Sequence, residues 1–337
     1  MVQEVASHPS LARDGAALTL PGAFYSPAHL EEHERTSCPL CDAKAERLVF
    51  EVFDTMFHHP GKYRLVECRR CSMRYVNPRP TAAALAGHYP ADYLCYTNFD
   101  DDHWLLRWAF RRLQKDQARR RMRQIESVAG RLEPRTRVLD VGCGRAELLA
   151  RLVSKRQCHG TGVDLNGRVL EIVRDELAID TVQGTLADAG FARGGFDLVT
   201  MTEYLEHEPR PRQVIEEARR VLKPGGLLAI EVPDISGPPG RWFGDRWWQV
   251  DAPRHLTFFS PRTLTSMLER SGFEVLRVRR HGLVTSMGYS LLQAMGFYYF
   301  RSNKVAYLTL SAVLGIPFLP FLPLLPDFMM IVARARR

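Results

Sequence analysis

The chain lacks the features of a secreted, disulfide-bonded protein. Its first thirty residues contain no long apolar run and are interrupted by Glu4, Asp14 and several prolines, which argues against a cleaved signal peptide. The seven cysteines are an odd number, so they cannot all pair with one another. A reducing, cytoplasmic location is therefore expected, and in that compartment cysteine pairs bind metal more often than they form disulfides.

Charge is missing from some stretches and concentrated in another. Residues 282–300 and 305–326 contain no charged side chain. Residues 103–131 contain nine arginines and lysines against only two acids, so most of the net charge of +8 lies there. The chain has 337 residues, of which 45% are hydrophobic, and this is enough for two domains. The positive charge is compatible with a nucleic-acid or anionic-membrane partner.

Four of the cysteines form two Cys-x-x-Cys pairs, Cys38 with Cys41 and Cys68 with Cys71. The pairs are separated by 26 residues, which is a spacing typical of zinc ribbons. Four sulfurs leave no open position on the metal, so we predict a structural Zn²⁺ in a small module at 38–80. His58 and His59, between the pairs, are alternative ligand candidates, but both are expected to be solvated loop residues. Residues 1–37 are predicted to be an irregular lead-in.

Residues 81–134 are predicted to form a helical linker that ends in a long amphipathic helix. Trp104, Trp108 and other apolar residues alternate there with a face rich in arginine. Such a helix can lie on an anionic membrane or present a plain solvated face. The aromatic residues at the start of the linker are expected to line a substrate mouth or to pack between modules. They are Tyr89, Tyr93, Tyr96 and Phe99.

Strands and helices alternate through residues 135–281, which predicts a mostly parallel α/β sheet. The predicted strands are 136–141, 159–163, 180–183, 196–201, 227–232 and 273–279, and residues 327–337 are expected to add the last strand. The turn Gly142-x-Gly144 directly follows the first strand, and Asp164 ends the second. Ligands bind at the carboxyl ends of such strands. Glu147 stands where a dinucleotide site has its third glycine, and Asp140 would repel a phosphate but attract a cationic ligand.

Four motifs in order resemble those of the class I S-adenosylmethionine-dependent methyltransferases. They are Val-Leu-Asp140-Val-Gly142-Cys-Gly144, Gly-Val-Asp164, Phe196-Asp197-Leu-Val and Arg-Val-Leu-Lys-Pro224-Gly225-Gly226. The resemblance implies a Rossmann-like, seven-stranded methyltransferase sheet that binds S-adenosylmethionine. It implies that Asp140, Gly142 and Gly144 hold the methionine portion of the cofactor. Asp164 would bind the ribose hydroxyls, and Thr185 and Leu186 would border the adenine.

The stretch Glu203-Tyr-Leu-Glu206-His207 follows the fourth strand and looks like a loop of the ubiquinone-biosynthesis O-methyltransferases. In that group these positions hold a divalent metal near the acceptor hydroxyl, which implies Mg²⁺ at Glu203, Glu206 and His207. The residues themselves leave three roles open: metal binding, His207 as a direct general base, and ordering of the loop. His255 lies in a later loop rich in Trp, Asp and Arg and is the second candidate for the base.

Residues 282–326, which contain the two uncharged runs separated by Arg301 to Lys304, are predicted to form an apolar helical insert before the last strand. Each of its two apolar runs is long enough to cross a bilayer, but four prolines argue against a straight spanning helix. Because the last strand returns to the sheet, both ends of the insert lie on one side of any membrane. Helices in the membrane interface are therefore expected, with a lid on the protein's own core as the alternative. Together with the basic helix, this predicts peripheral attachment to the inner face of the membrane.

The expected activity is O-methylation of a small apolar or lipid-linked acceptor. Two alternatives stay open. The cysteine pairs combined with this core also resemble sugar-nucleotide C-methyltransferases that have a zinc-binding front domain, which implies a sugar acceptor. A zinc ribbon, a basic helix and this core would also suit an RNA methyltransferase. However, the chain has no Asn-Pro-Pro-Tyr or Asp-Pro-Pro-Tyr loop, and the apolar insert has no use on RNA, which argues against a nucleic-acid partner.

Overall fold

A small antiparallel unit comes first in the computed structural model, which describes residues 32–59, 61–89, 104–298 and 304–336. Its elements are β1 (His33–Glu34), β2 (Glu46–Val52), β3 (Tyr63–Cys68), β4 (Arg74–Val76), β5 (Arg79–Pro80) and α1 (Ala82–Ala86). Strands β2, β3 and β4 pair in sequence, and β1 pairs with β5. The turns with the two cysteine pairs lie at one end of this sheet, because Glu46 at the start of β2 is opposite Cys68 at the end of β3.

The long helix predicted after this unit is confirmed as α2 (Trp104–Ala129). Its inner face buries Ala118, Met122 and Ile125 against the core. Five cations on its other faces are exposed: Arg111, Arg112, Lys115, Arg119 and Arg123. Arg121 was predicted to lie on the basic face, but its guanidinium is buried and pairs with Glu231.

The predicted seven-stranded sheet is also confirmed, with the order β12-β13-β10-β9-β6-β7-β8. Its strands are β6 (Arg137–Val141), β7 (His159–Asp164), β8 (Asp180–Gln183), β9 (Phe196–Thr202), β10 (Leu222–Pro233), β12 (Phe273–His281) and β13 (Phe328–Ala335). Strand β13 runs antiparallel to both neighbours, and the other strands are parallel. Strand β10 was predicted to start at residue 227. It starts at Leu222 instead, which pairs with Phe196 before a bulge.

Helices cover both faces of this sheet. Helices α3 (Glu147–Arg156) and α4 (Gly167–Leu177) join α2 on one face, and α5 (Pro211–Val221) and α7 (Pro261–Arg270) cover the other. Helix α6 (Pro238–Phe243) follows β10. Between α6 and α7 lies β11 (Thr257–Phe258), which pairs with β4 and becomes the fourth strand of the small sheet. The segment that contains His255 is therefore held against the small unit, because β11 begins two residues after this histidine.

The apolar insert contains α8 (Val284–Ala294), α9 (Lys304–Gly315) and a 3₁₀ segment, Ile316–Leu324. Helices α8 and α9 touch through their backbones, since a Cβ on Gly288 would lie 1.7 Å from the carbonyl oxygen of Ser311. The insert begins and ends at one point, because His281 in β12 is opposite Phe328 in β13. Helix α8 also packs against residues 248–250, so the insert lies beside the loop that contains His255.

Candidate active site

Four thiols of the small unit come together. The sulfur of Cys38 lies 3.4 Å from that of Cys71, and the sulfur of Cys41 lies 3.6 Å from that of Cys68. All four cysteines are free of disulfides, and their sulfurs lie within 4.8 Å of one another. Sulfurs around one tetrahedral Zn²⁺ are about 3.8 Å apart, given a Zn–S bond of about 2.3 Å. The cluster is therefore compatible with the predicted structural zinc.

The two cysteine turns have the same backbone geometry. The amide of Asp42 donates to the carbonyl of Cys38 at 2.9 Å, and the amide of Ser72 donates to that of Cys68 at 2.9 Å. Asp42 and Ser72 have φ of 57° and 62°, in the left-handed region. Each turn thus directs two thiols toward one side, which is what a metal site with two Cys-x-x-Cys pairs needs.

The predicted cofactor residues gather at the carboxyl ends of β6 and β7. Gly142 and Gly144 have φ of 66° and 49°, and such positive values favour glycine. The amide of Gly144 donates to Oδ2 of Asp164 at 2.9 Å, so the glycine turn and this acid hold each other in place. The ring of Tyr204 lies directly over Gly142, where an added Cβ would be 2.2 Å from Cδ2 of the tyrosine. Tyr204 was not predicted as a site residue.

Asp140 lies beneath the glycine turn and is almost completely buried. The hydroxyl of Thr200 donates to its Oδ1 at 2.6 Å, but burial still raises the pKa of Asp140 to about 7. Asp140 is therefore expected to lose its proton when a cationic ligand binds beside it, because a nearby positive charge favours the charged form of a carboxyl.

The predicted adenine neighbours lie at the end of β8. Thr185 is half-buried, and its hydroxyl donates to Asp188 at 2.6 Å. The side chain of Leu186 is buried in the core. The amide of Gly184 donates to the carbonyl of Asp164 at 3.0 Å, which brings these residues next to the end of β7. Their roles toward a cofactor stay predictions.

Gly142 provides a test of the glycine turn. We expect Gly142→Ala to weaken cofactor binding by about tenfold or more, because the new Cβ would displace the ring of Tyr204 from over the turn. Gly190→Ala is the matched control, since Gly190 has a similar φ of 63° but no neighbour within 4 Å of an added Cβ. Calorimetric titration with S-adenosylmethionine measures both, and equal affinities would show that the close approach is unimportant.

The candidate acid–base residues meet beyond β9, where Leu205–His207 forms a 3₁₀ turn. Potential ligand atoms of Glu206, His207 and His255 lie within 4.8 Å of one another, and the two imidazole rings are 4.5 Å apart. Nδ1 of His207 lies 2.9 Å from the hydroxyl of Tyr89 and 3.1 Å from the carbonyl of Arg254. Nδ1 of His255 lies 2.8 Å from the carbonyl of Gln249. Carbonyls therefore occupy Nδ1 of both rings.

The electrostatics of this group follow from burial. Glu206 is 2% exposed, and neither of its oxygens has a hydrogen-bond partner among the described residues. Burial therefore raises the pKa of Glu206 well above its usual value. Burial, with His255 beside it, lowers the pKa of His207 well below 6.5 and keeps the ring neutral. A neutral imidazole next to an acceptor site can take up a proton.

Glu203 does not join this group. Its backbone has a φ of 55°, and its carboxylate pairs with Arg121 of α2. Arg121 also donates to Oε1 of Glu231 at 2.7 Å, so a cation occupies the place beside Glu203. Among the described residues, the three donors that lie together are Glu206, His207 and His255 rather than the predicted set with Glu203.

Several residues of the site were missed because their partners are far away in the chain. Tyr204 and Arg121 carried no motif that placed them at the site, whereas Tyr89, one of the aromatic residues expected to line a substrate mouth or to pack between modules, contacts His207. Tyr93, Tyr96 and Phe99, which were named with Tyr89, lie outside the described residues. His59 is buried and bonded to Asp54 at 2.6 Å, so its prediction as a solvated residue was wrong.

Comparison with known proteins agrees with this geometry. Residues 95–278, more than half of the chain, match the family model described as methyltransferase domain. The chain is 38% identical over 114 residues to the ubiquinone biosynthesis O-methyltransferase of Xanthomonas axonopodis pv. citri, covering 32% of this chain and 47% of that protein. It is 34% identical over 121 residues to a ubiquinone/menaquinone biosynthesis C-methyltransferase of Rhizobium meliloti, covering 33% and 47%.

The chain thus spans about half the length of the curated relatives it matches. Among solved structures, geranyl diphosphate methyltransferase in complex with SAM superimposes with a TM-score of 0.50 at 17% identity, covering 72% of this chain and 94% of that one. This likeness shows a shared fold.

Proposed function

The chain belongs to the methyltransferase-domain family, and we propose that it methylates an oxygen of a small apolar or lipid-like acceptor. When bound, S-adenosylmethionine supplies an electrophilic methyl group, and transfer to the acceptor oxygen leaves S-adenosylhomocysteine. Asp140, Gly142, Gly144 and Asp164 form the seat of this cofactor in the proposal. The observation that carries it is the position of the half-buried His207 just beyond β9, where its Nδ1 contacts the carbonyl of Arg254, so that its Nε2 takes the acceptor's proton in the proposal.

The reaction is tested by incubating the full chain with methyl-labelled donor and an extract of bacterial lipids. We expect one labelled, organic-soluble product whose label resists the mild conditions that cleave methyl esters. A parallel incubation with nucleoside-diphosphate sugars tests the sugar alternative. Label that appears on a sugar, or on a carbon atom of any acceptor, would contradict the proposed O-methylation of an apolar acceptor.

Asp140 provides a test of the proposed cofactor site that does not require the acceptor to be known. Its pKa of about 7 predicts that, at pH 6.5, binding of S-adenosylmethionine drives off the proton held by this carboxyl. The binding enthalpy should therefore change with the ionisation enthalpy of the buffer. Asp140→Asn removes the titratable carboxyl, so it should abolish this dependence on the buffer and weaken the affinity for S-adenosylmethionine. Absence of any heat with wild type would overturn the cofactor assignment.

A metal ion at the acceptor is the second candidate mechanism, and the clustering of Glu206, His207 and His255 favours a different ion from the predicted Mg²⁺. Two imidazoles and one carboxylate suit Zn²⁺, Mn²⁺ or Fe²⁺, whereas Mg²⁺ prefers oxygen ligands. Metal analysis of the purified full chain separates the two mechanisms. One equivalent of zinc, held by the cysteines, is expected when His207 acts directly, and a second equivalent of metal would favour the metal mechanism.

We also place the protein at an anionic membrane surface of the cytoplasmic side. Ala306–Leu324 is one helical segment long and apolar enough to cross a membrane by length and composition, with a mean hydropathy of 1.7 and only 17% of it buried. A single crossing conflicts with the fold, because β12 and β13, which flank the insert in sequence, pair with each other. Exposed Ile316, Leu319 and Leu324 therefore fit the membrane interface better than its interior.

The basic helix supports the same surface. Leu322 of the insert and Arg120 and Arg123 of α2 line one groove, so the apolar segment lies beside the cations. Trp104 and Trp108, near the start of α2, are 63% and 62% exposed. Cations next to exposed aromatic and aliphatic residues are complementary to anionic headgroups above an apolar layer.

Vesicle flotation tests this attachment. We expect the full chain to float with vesicles containing one-third anionic lipid, and the double variant Leu319→Asp with Leu324→Asp to stay in the soluble fraction. Leu177→Asp is the matched control, because Leu177 is exposed on α4 at the opposite edge of the sheet. Equal flotation of the double variant and wild type would remove the membrane from the proposal.

A further inference from the structure

Arg254 is fully buried, and two carboxylates hold its guanidinium. Asp54, in the loop between β2 and β3, accepts bonds from both terminal nitrogens at 2.7 and 2.9 Å. Asp251 accepts from Nε at 3.0 Å. The ring of Phe57 lies 4.8 Å from the guanidinium carbon. Paired bonds of this kind define the orientation of both groups as well as their distance.

Asp54 is itself fixed on its loop. Its Oδ1 accepts from the backbone amides of Met56 and Phe57 at 3.1 and 2.9 Å. Its Oδ2 lies 2.6 Å from Nδ1 of His59. Because the loop joins two strands of the sheet that carries the cysteine cluster, the position of Arg254 depends on the small unit.

The other end of Arg254 reaches the active site. Its backbone carbonyl lies 3.1 Å from Nδ1 of His207 and accepts from the hydroxyl of Tyr89 at 3.5 Å. The Tyr89 hydroxyl lies 2.9 Å from the same Nδ1 and can donate or accept, but its proton is directed to the Arg254 carbonyl. Because that carbonyl can only accept, this arrangement places the proton of the neutral His207 ring on Nδ1 and the lone pair on Nε2. The carbonyl of Arg254 thus selects the nitrogen that receives the acceptor's proton.

We infer that Asp54 and Arg254 are positioning residues for His207, so that the cysteine-bearing unit sets the geometry of methyl transfer. Both side chains are buried and act through His207, and the inference rests on the proposed function. Stability alone is a weak reason for such a pair, because apolar residues of similar volume often stabilise a core equally well. The fixed placement of the Arg254 carbonyl is what the pair adds.

Two variants test the inference in the full, zinc-loaded chain. Arg254→Lys keeps the charge but loses the paired bonds, and Asp54→Asn removes one charge. We expect kcat to fall about ten- to a hundredfold in both, because a displacement near 1 Å has effects of this size, while KM for S-adenosylmethionine stays within about twofold. Nitrogen-15 NMR of histidine should show His207 with its proton on Nδ1 in wild type and a mixture of tautomers in the variants.

Glu51→Gln is the matched control. Glu51 lies on β2 of the same small unit, and its carboxylate pairs with Lys62 at 3.7 Å in an exposed ion pair outside the cysteine turns. We expect wild-type kcat and tautomer in this variant.

Two results would overturn the inference. One is a proton on Nε2 of His207 in wild type, a measurement that needs no variant and stands even if Asp54→Asn fails to fold. The other is Arg254→Lys with wild-type kcat and tautomer. If wild type binds the cofactor but transfers no methyl group, the proposed function fails. The tautomer of His207, measured by NMR, still tests whether Asp54 and Arg254 position this ring.

Discussion

Replacing His207 with asparagine is expected to lower kcat for methyl transfer about a hundred- to ten-thousandfold, the usual contribution of a general base. The affinity for S-adenosylmethionine should stay the same, because the predicted cofactor residues lie at the carboxyl ends of β6, β7 and β8 rather than on the 3₁₀ turn that contains His207. Single-turnover kinetics with saturating donor measure the chemical step, and calorimetry measures the affinity.

The sign of the pH dependence follows from the environment of His207. Burial lowers its pKa well below 6.5, so the proton-accepting form persists as the pH falls through 6.5. The wild-type rate should therefore stay level between pH 8 and 6.5, whereas an ordinary solvated histidine would begin to lose activity there.

His159→Asn is the matched control for His207→Asn. His159 is exposed at the start of β7, at the end of the sheet away from the cofactor residues. The control should keep wild-type kcat and affinity. A His207→Asn enzyme with a nearly unchanged rate would move the base elsewhere, and His255, 4.5 Å away between ring centroids, would then be the residue to replace.

The predicted strands were most accurate where the sequence has short buried runs between turns. Strand β8 matches its predicted bounds, and β6 and β7 each differ by one residue. The beginning of β10 was missed because Pro224 and Gly225 look like a turn in isolation. Only the pairing of Leu222 with Phe196, which joins two distant segments, extends the strand past them.

The same distinction between local and distant contacts separates the predicted site residues from those that were missed. Asp140, Gly142 and Gly144 lie within one turn, so their spacing alone brings them together. Arg121 and Glu203, or Asp54 and Arg254, are brought together only by the folded chain. The spacing of the arginines in α2 predicted one basic face. It could not show that Arg121 points inward to a buried carboxylate.

Removing one cysteine of the cluster is expected to have consequences at both ends of the small unit. Cys38→Ser should cost the protein the proposed structural zinc, since a tetrahedral site with a hydroxyl in place of a thiolate binds the metal far more weakly. Structural zinc supplies about 10–16 kcal/mol of folding energy in small zinc-binding units, which is as much as the whole stability of many domains. The sheet β2-β3-β4 should therefore unravel.

That loss should reach the active site while sparing the cofactor seat. Strand β11, two residues after His255, loses its partner β4, and Arg254 loses Asp54. We therefore expect Cys38→Ser to retain binding of S-adenosylmethionine but to lose methyl transfer by at least about a hundredfold. Cys158→Ser is the matched control, because Cys158 is a buried free cysteine outside the cluster. Metal analysis, calorimetry and single-turnover rates on the two variants measure the three quantities. A zinc-free Cys38→Ser protein with wild-type kcat would show that the small unit is dispensable for the chemistry.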